Sequence, residues 1–261
     1  MRAHITRDPR QDTTSPGGEA RGAAGTVGGD SIKPVFIGGT DEGTTSVVQR
    51  LLAAHPACVP VPRLTFLSEP GGLADLVAGA TRLDRFLSAI RNDWYPSSPG
   101  LQGLCPPERF EEVVDRFGRE WSVHNQKPAR RLVRGLLGKG LSRSPHVYWV
   151  EASPANVRVG PILPRIMRGA RLVIAVPTVF SAMPVAQHRG RHHVRLDALL
   201  DPNCQGEYLA LVKFLDIADH GQMRQALRAD IRPAGAASEP PALKRRFWRR
   251  GDAEVDSPGG R

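Results

Sequence analysis

The chain has 261 residues, of which 40% are hydrophobic and 24% charged, the usage of a globular protein with a core large enough to exclude a disulfide- or metal-stapled miniprotein. Lys and Arg number 36 against 26 Asp and Glu, a formal charge of +10, and no apolar run reaches the ~20 residues that span a bilayer. The opening 32 residues lack the ~7 to 15 apolar residues of a signal-peptide core, and Cys58, Cys105 and Cys204 form no CxxC spacing, so a reduced cytoplasmic protein is expected.

Residues 1–31 are polar, Gly-rich and aperiodic, and 233–261 mix Pro, Gly and charge, so both read as tails around a folded body at 32–232. The body opens with PVFIGG, a β-branched and aromatic run ended by glycines, and continues as TTSVVQRLLAAHP, where Val47, Val48, Leu51 and Leu52 fall at helical spacing. Helices are predicted within 71–92 and from Pro107 to Phe117, with Pro96, Pro99 and Gly100 in a loop between them. A basic amphipathic helix follows at 128–137, then a strand in VYWVEASP, a short helix in PILPRIM and a strand in ARLVIAVP. HHVRLDALL and EYLALVKFLDIA read as a strand plus a helix or as two helices. Strands alternating with helices predict an α/β fold: a P-loop-like, mainly parallel sheet with helices on both faces.

Charge is unevenly placed. Between Glu120 and Asp197 the single acid is Glu151, against thirteen Lys and Arg. Such a field attracts polyanions, whether nucleic acid, membrane phosphate or a small phosphorylated ligand, or it is a solvated basic face.

The loop after the first strand carries the clearest chemistry. Gly38, Gly39 and Gly43 permit a tight turn with exposed amides, Thr40 lies within it, and Thr44 and Thr45 can cap or enter the next helix, whose N-terminus favours phosphate. Gly38, four residues, Gly43, Thr44 and Thr45 approximate a nucleotide-binding P-loop, but Thr44 stands where a Lys would reach the β and γ phosphates, which disfavours an ATPase or kinase. A glycine turn without a ligand is the other reading.

PVFIGGT with GTT, the helix ending LLAAHP, FLSEPGGLADLVAG with RLDRFL, YWVEASPANV with PILPRIMRGARLVI, HVRLDALL with LALVKFLDI, and RRFWRR together resemble the PAPS-dependent sulfotransferases of bacteria over roughly residues 33–250. The resemblance implies a parallel sheet flanked by helices and a glycine loop that holds the 5'-phosphosulfate of 3'-phosphoadenosine 5'-phosphosulfate (PAPS), the co-substrate. The sulfuryl group would go to the hydroxyl or amine of a small-molecule acceptor, with no metal. Gly38, Gly39, Thr40, Gly43, Thr44 and Thr45 would hold the 5'-phosphate, Ser181 the 3'-phosphate, and a basic loop would bring Arg245 and Arg246 to the 3'-phosphate and stack Trp248 on adenine.

The chain departs from the family pattern at chemical positions. The loop reads GGTDEGTT, with Asp41 and Glu42 where a basic residue is usual, and Arg63 aligns with the family's candidate base, which arginine cannot be. VIAVPTVFSAM lacks the customary Arg, and only the ten residues of VAQHRGRHHV separate that motif from the late strand. A base would have to be Glu69 or Glu151, either of which can instead serve backbone amides. The alternative is a non-catalytic protein of the same fold that binds a partner or polyanion, nucleic acid among them, through its Arg-rich face. His188 and His192 have i, i+4 spacing, but without a carboxylate HRGRHH reads as a solvated basic loop.

Overall fold

The computed structural model describes residues 33–142, 148–177, 190–201 and 205–230. Five strands, β1 (Lys33–Gly39), β2 (Cys58–Pro60), β3 (Tyr148–Ala152), β4 (Arg171–Val176) and β5 (Arg191–Arg195), form one sheet in the order β2-β3-β1-β4-β5. Every pairing is parallel. β1 lies at the centre, with Phe36 in register with Glu151 of β3 and Leu172 of β4. Val35, Phe36 and Ile37 are wholly buried, because a strand covered on both faces has no solvated side, and this explains its unbroken apolar run.

The strand period of two divides the core between the faces. Phe36, Trp149 and Leu172 point to one face, where they meet α2 (Thr65–Ser68), α3 (Leu73–Ala78), α4 (Leu83–Ala89), α6 (Pro107–Glu120), α7 (Lys127–Ser142), α8 (Asn156–Val159) and α9 (Leu163–Ile166). Phe36 and Trp149 meet edge to face with ring centres 5.1 Å apart. Val35, Ile37, Tyr148, Val150, Val173 and Val194 point to the other face, under α1 (Glu42–Ala53), α10 (Leu196–Leu200), α11 (Gly206–Leu215) and α12 (Gly221–Asp230). The fold is thus α/β, a parallel sheet with helices on both faces.

Several elements differ from the sequence reading. Pro99 and Gly100, expected in a loop, open α5 (Pro99–Leu104), with proline in the first turn, where its missing amide costs nothing. The 71–92 region is broken at Gly79, whose φ of +78° ends α3, and α4 runs on into a π-helical turn at Ile90–Trp94. The basic helix extends to Lys127–Ser142 and is kinked at Gly138, with φ of +74°. β2 and α12 were not singled out by periodicity, being a three-residue edge strand and a mostly polar helix. HHVRLDALL resolves into β5 and α10. No helix among the described residues is long and apolar enough to cross a membrane.

Candidate functional site

Adjacent strands β1 and β3 send their chains to opposite faces: β1 leads into α1 on one side and β3 into α8 and α9 on the other. In open α/β sheets the crevice at the carboxyl ends of two such strands is where ligands sit. Here its walls are the Gly38–Thr45 turn and the Ser153–Asn156 turn. They approach closely: a β-carbon on Gly38 would lie 2.8 Å from the Val157 amide nitrogen, and one on Gly39 2.9 Å from the Ala175 carbonyl and from Thr45 Cγ2. Any other residue at Gly38 would push the two turns apart, and any other at Gly39 would push the β1 turn away from β4. The two turns are also bonded, since the Ile37 carbonyl accepts from the Ser153 amide and from Asn156 Nδ2, each at 3.0 Å.

At the mouth the loop's donors converge on a carboxylate. Asp41 is the N-cap of α1, accepting the Thr44 amide at 2.8 Å through Oδ1, and the hydroxyls of Thr44 at 2.7 Å and Thr40 at 2.8 Å through Oδ2. These bonds, the Thr44 hydroxyl foremost and the Gly43 amide with them, hold its pKa at about 2. The physical cause is that each donor favours the charged form. Thr45 is buried, and its hydroxyl turns inward to the carbonyls of Glu42, 3.1 Å, and Asp41, 3.3 Å. In this arrangement the residues expected to meet a phosphate, Thr40 and Thr44, serve the side chain of Asp41, and Thr45 serves the helix backbone.

A second set of charges lies at the start of α1. Arg63, in the connection from β2 to α2, donates from Nη1 to Glu42 at 2.5 Å and from Nη2 to Glu69 at 2.9 Å. Glu69, a candidate base, therefore stands at the mouth in an ion pair, its side chain 32% exposed. Glu151, the other candidate, lies beneath and is wholly buried. Its Oε1 accepts the Leu64 amide at 3.0 Å and its Oε2 accepts Asn156 Nδ2 at 2.5 Å. Burial raises its pKa to about 7, against the lowering effects of Asn156, the Leu64 amide and the nearby Arg63. Glu151 thus ties the end of β3 to the start of α2 and, through Asn156, to β1. Beside it, Ser153 Oγ and Asn156 Oδ1 are buried without a hydrogen-bond partner, a polar floor of the kind that ordered water or a ligand group completes.

Gly38, Gly39, Thr40, Gly43, Thr44, Thr45 and Glu151 therefore lie at the carboxyl ends of β1 and β3, with Glu69 joined to the start of α1 through Arg63, whereas Ser181, Arg245, Arg246 and Trp248 lie outside the described residues, as do the two tails. Asp41 and Arg63, both departures from the family pattern, are each bonded to more than one residue here. The spacing of Asp41 before Thr44 was a helix-cap signal. Within HRGRHH, Arg191, His192 and His193 are strand and not the solvated loop expected: His192 and His193 are half-buried neighbours in β5, and His192 stacks on Phe214 with ring centres 5.1 Å apart. Burial lowers the pKa of both rings. His188 lies outside the described residues.

No family model matches the sequence, and no curated protein matches it. Among solved structures the chain is similar to a sulfotransferase domain from the curacin biosynthetic pathway, with 14% identity, 75% of this chain and 77% of that one covered, and a TM-score of 0.42. It is similar also to the sulfotransferase STF1 from Mycobacterium tuberculosis, with 15% identity, 75% and 70% covered, and a TM-score of 0.38. A third is the sulfotransferase STF9 from Mycobacterium avium, with 12% identity, 79% and 69% covered, and a TM-score of 0.39.

Proposed function

We propose that this is a sulfotransferase-like protein whose nucleotide crevice lies between the carboxyl ends of β1 and β3. The observation that carries the reading is the opposite departure of those two strands, with a side-chain-free Gly38–Gly39 turn on one wall and a buried polar floor of Glu151, Ser153 and Asn156 below. The sequence resemblance to PAPS-dependent sulfotransferases supports the same location, because its glycine loop is this turn. The ligand would be PAPS or its product, adenosine 3',5'-bisphosphate.

In transfer, an acceptor oxygen or nitrogen forms a bond to sulfur as the bond from sulfur to the 5'-phosphate oxygen breaks. The electron pair leaves with the bisphosphate and the acceptor's proton passes to a base. Most of the acceleration would be positioning and charge stabilisation by the loop amides and the α1 N-terminus. Of the two carboxylates, Glu69 is the one solvent and an acceptor reach; Glu151, with both oxygens engaged, serves better to hold the walls. No step calls for a metal.

A specific observation favours a second reading, a non-catalytic protein of this architecture that acts through its basic surface: Asp41 already takes the donors a phosphate would use. Calorimetric titration with adenosine 3',5'-bisphosphate separates the two. Saturable one-site binding, weakened by Thr44→Val, supports the nucleotide crevice. Absence of heat and of any melting shift at millimolar ligand, with steeply salt-dependent retention on a polyanion, supports the second reading.

A further inference from the structure

The loop that forms the crevice mouth carries two carboxylates, Asp41 and Glu42, and no cation, an unfavourable lining for an anionic nucleotide. A cation is nevertheless present at that mouth, delivered by another segment. Arg63 reaches from the β2–α2 connection and places one guanidinium nitrogen on Glu42, the first residue of α1, and the other on Glu69. Its backbone is pinned on both sides, by the Val61 amide on the Val150 carbonyl at 2.9 Å and by the Leu64 amide on the buried Glu151 at 3.0 Å. The side chain itself is 39% exposed. A fixed base carrying a solvent-reached, forked donor is the arrangement that suits bidentate recognition of phosphate or sulfonate oxygens.

We infer that Arg63 is the anion-binding residue of the crevice, held by Glu42 and Glu69 in the free protein and passed from the Glu42 carboxylate to the phosphate or sulfonate oxygens of the nucleotide on binding. This rests on the nucleotide reading above. The exchange is inexpensive because both members of the Arg63–Glu42 pair are well exposed, and exposed pairs contribute little to stability. The released Glu42 carboxylate, with 73% of its side chain exposed, turns to water. Glu151 enters as the positioning residue, since its bond to the Leu64 amide sets where Arg63 starts.

The test is titration of adenosine 3',5'-bisphosphate into the full chain as wild type, Arg63→Gln, Arg63→Lys, Glu42→Gln and the Arg63→Gln/Glu42→Gln double variant. Arg63→Gln should weaken binding about tenfold or more and Arg63→Lys by less, because a lysine keeps the charge but not the fork. Glu42→Gln should tighten binding, and the gain should disappear in the double variant. A purely structural ion pair would behave differently: Arg63→Gln and Glu42→Gln break the same pair and would then shift affinity in the same direction. Wild-type binding that Arg63→Gln leaves within about twofold, or that Glu42→Gln weakens as Arg63→Gln does, overturns the inference and leaves the nucleotide reading standing. No saturable binding to any of the five proteins overturns both.

Discussion

Glu151 and Leu64, 87 residues apart, meet through a 3.0 Å hydrogen bond from the Leu64 amide to a wholly buried carboxylate. That bond joins the end of β3 to the segment carrying Arg63 and Glu69, so the floor of the crevice and the charges at its mouth are mechanically one unit. Removing the carboxylate as Glu151→Ala strands the Leu64 amide in the interior and leaves Asn156 Nδ2 with the Ile37 carbonyl as its acceptor. At ~1 to 3 kcal/mol for an unpaired buried polar group, a loss of at least about 1 to 3 kcal/mol is expected in denaturant unfolding.

The same residue predicts a pH dependence. Its pKa rises from the ordinary 4.5 to about 7 on folding, so between those values the native state holds a proton that the unfolded chain has released. Stability from this group is therefore full below pH 4.5 and declines as pH rises through 7. Wild-type melting temperatures should fall between pH 5 and pH 8, and Glu151→Gln, which cannot ionise, should flatten that slope. An unchanged slope in the variant would show that the decline comes from other groups.

Asp41 carries the opposite sign. Its folded pKa of about 2 is depressed below the ordinary 3.8, so its contribution is present above pH 3.8 and is lost as pH falls through 2. Asp41→Ala should lower the melting temperature at pH 7, through loss of the cap, and should shrink the acid sensitivity between pH 4 and pH 2. Asp41→Asn keeps one oxygen for the Thr44 amide but loses the charge and the acceptor of the two threonine hydroxyls, and should melt between Asp41→Ala and the wild type. Circular dichroism melts across that range check both statements.

Gly39→Ala introduces a β-carbon 2.9 Å from the Ala175 carbonyl, a backbone atom that cannot rotate away. Separating β1 from β4 at the crevice should cost about 1 to 3 kcal/mol, typical of overpacking, and should weaken nucleotide binding beyond what the stability loss explains. Gly43→Ala is the milder comparison, because its β-carbon would meet a side-chain oxygen, Asp41 Oδ1 at 3.2 Å, rather than the backbone.

Phe36→Ala tests the core away from the charges. Phe36 is wholly buried against Trp149, and a Phe→Ala change in such a place costs about 3 to 5 kcal/mol. Denaturant midpoints should fall accordingly, and the fluorescence of Trp149 should report a loosened environment in the native state.

The local pattern in the sequence determined the strand, glycine turn and helix at 33–53, the α/β class, and which residues would line the turn, because period two, period 3.6 and glycine punctuation are properties of neighbours along the chain. The cap at Asp41 was equally local, three residues from its partner Thr44. Tertiary structure alone decided the rest. Nothing in the spacing of Arg63 and Glu42, 21 residues apart, announces an ion pair, and nothing in YWVEASP says that its glutamate is buried rather than exposed. Strand order made those contacts: with β3 inserted between β2 and β1, the β2–α2 connection, the β1 turn and the β3 turn end side by side, and charges distant in sequence become each other's nearest compensation. Electrostatics and desolvation depend on such neighbours, so the chemistry of the mouth is settled by packing.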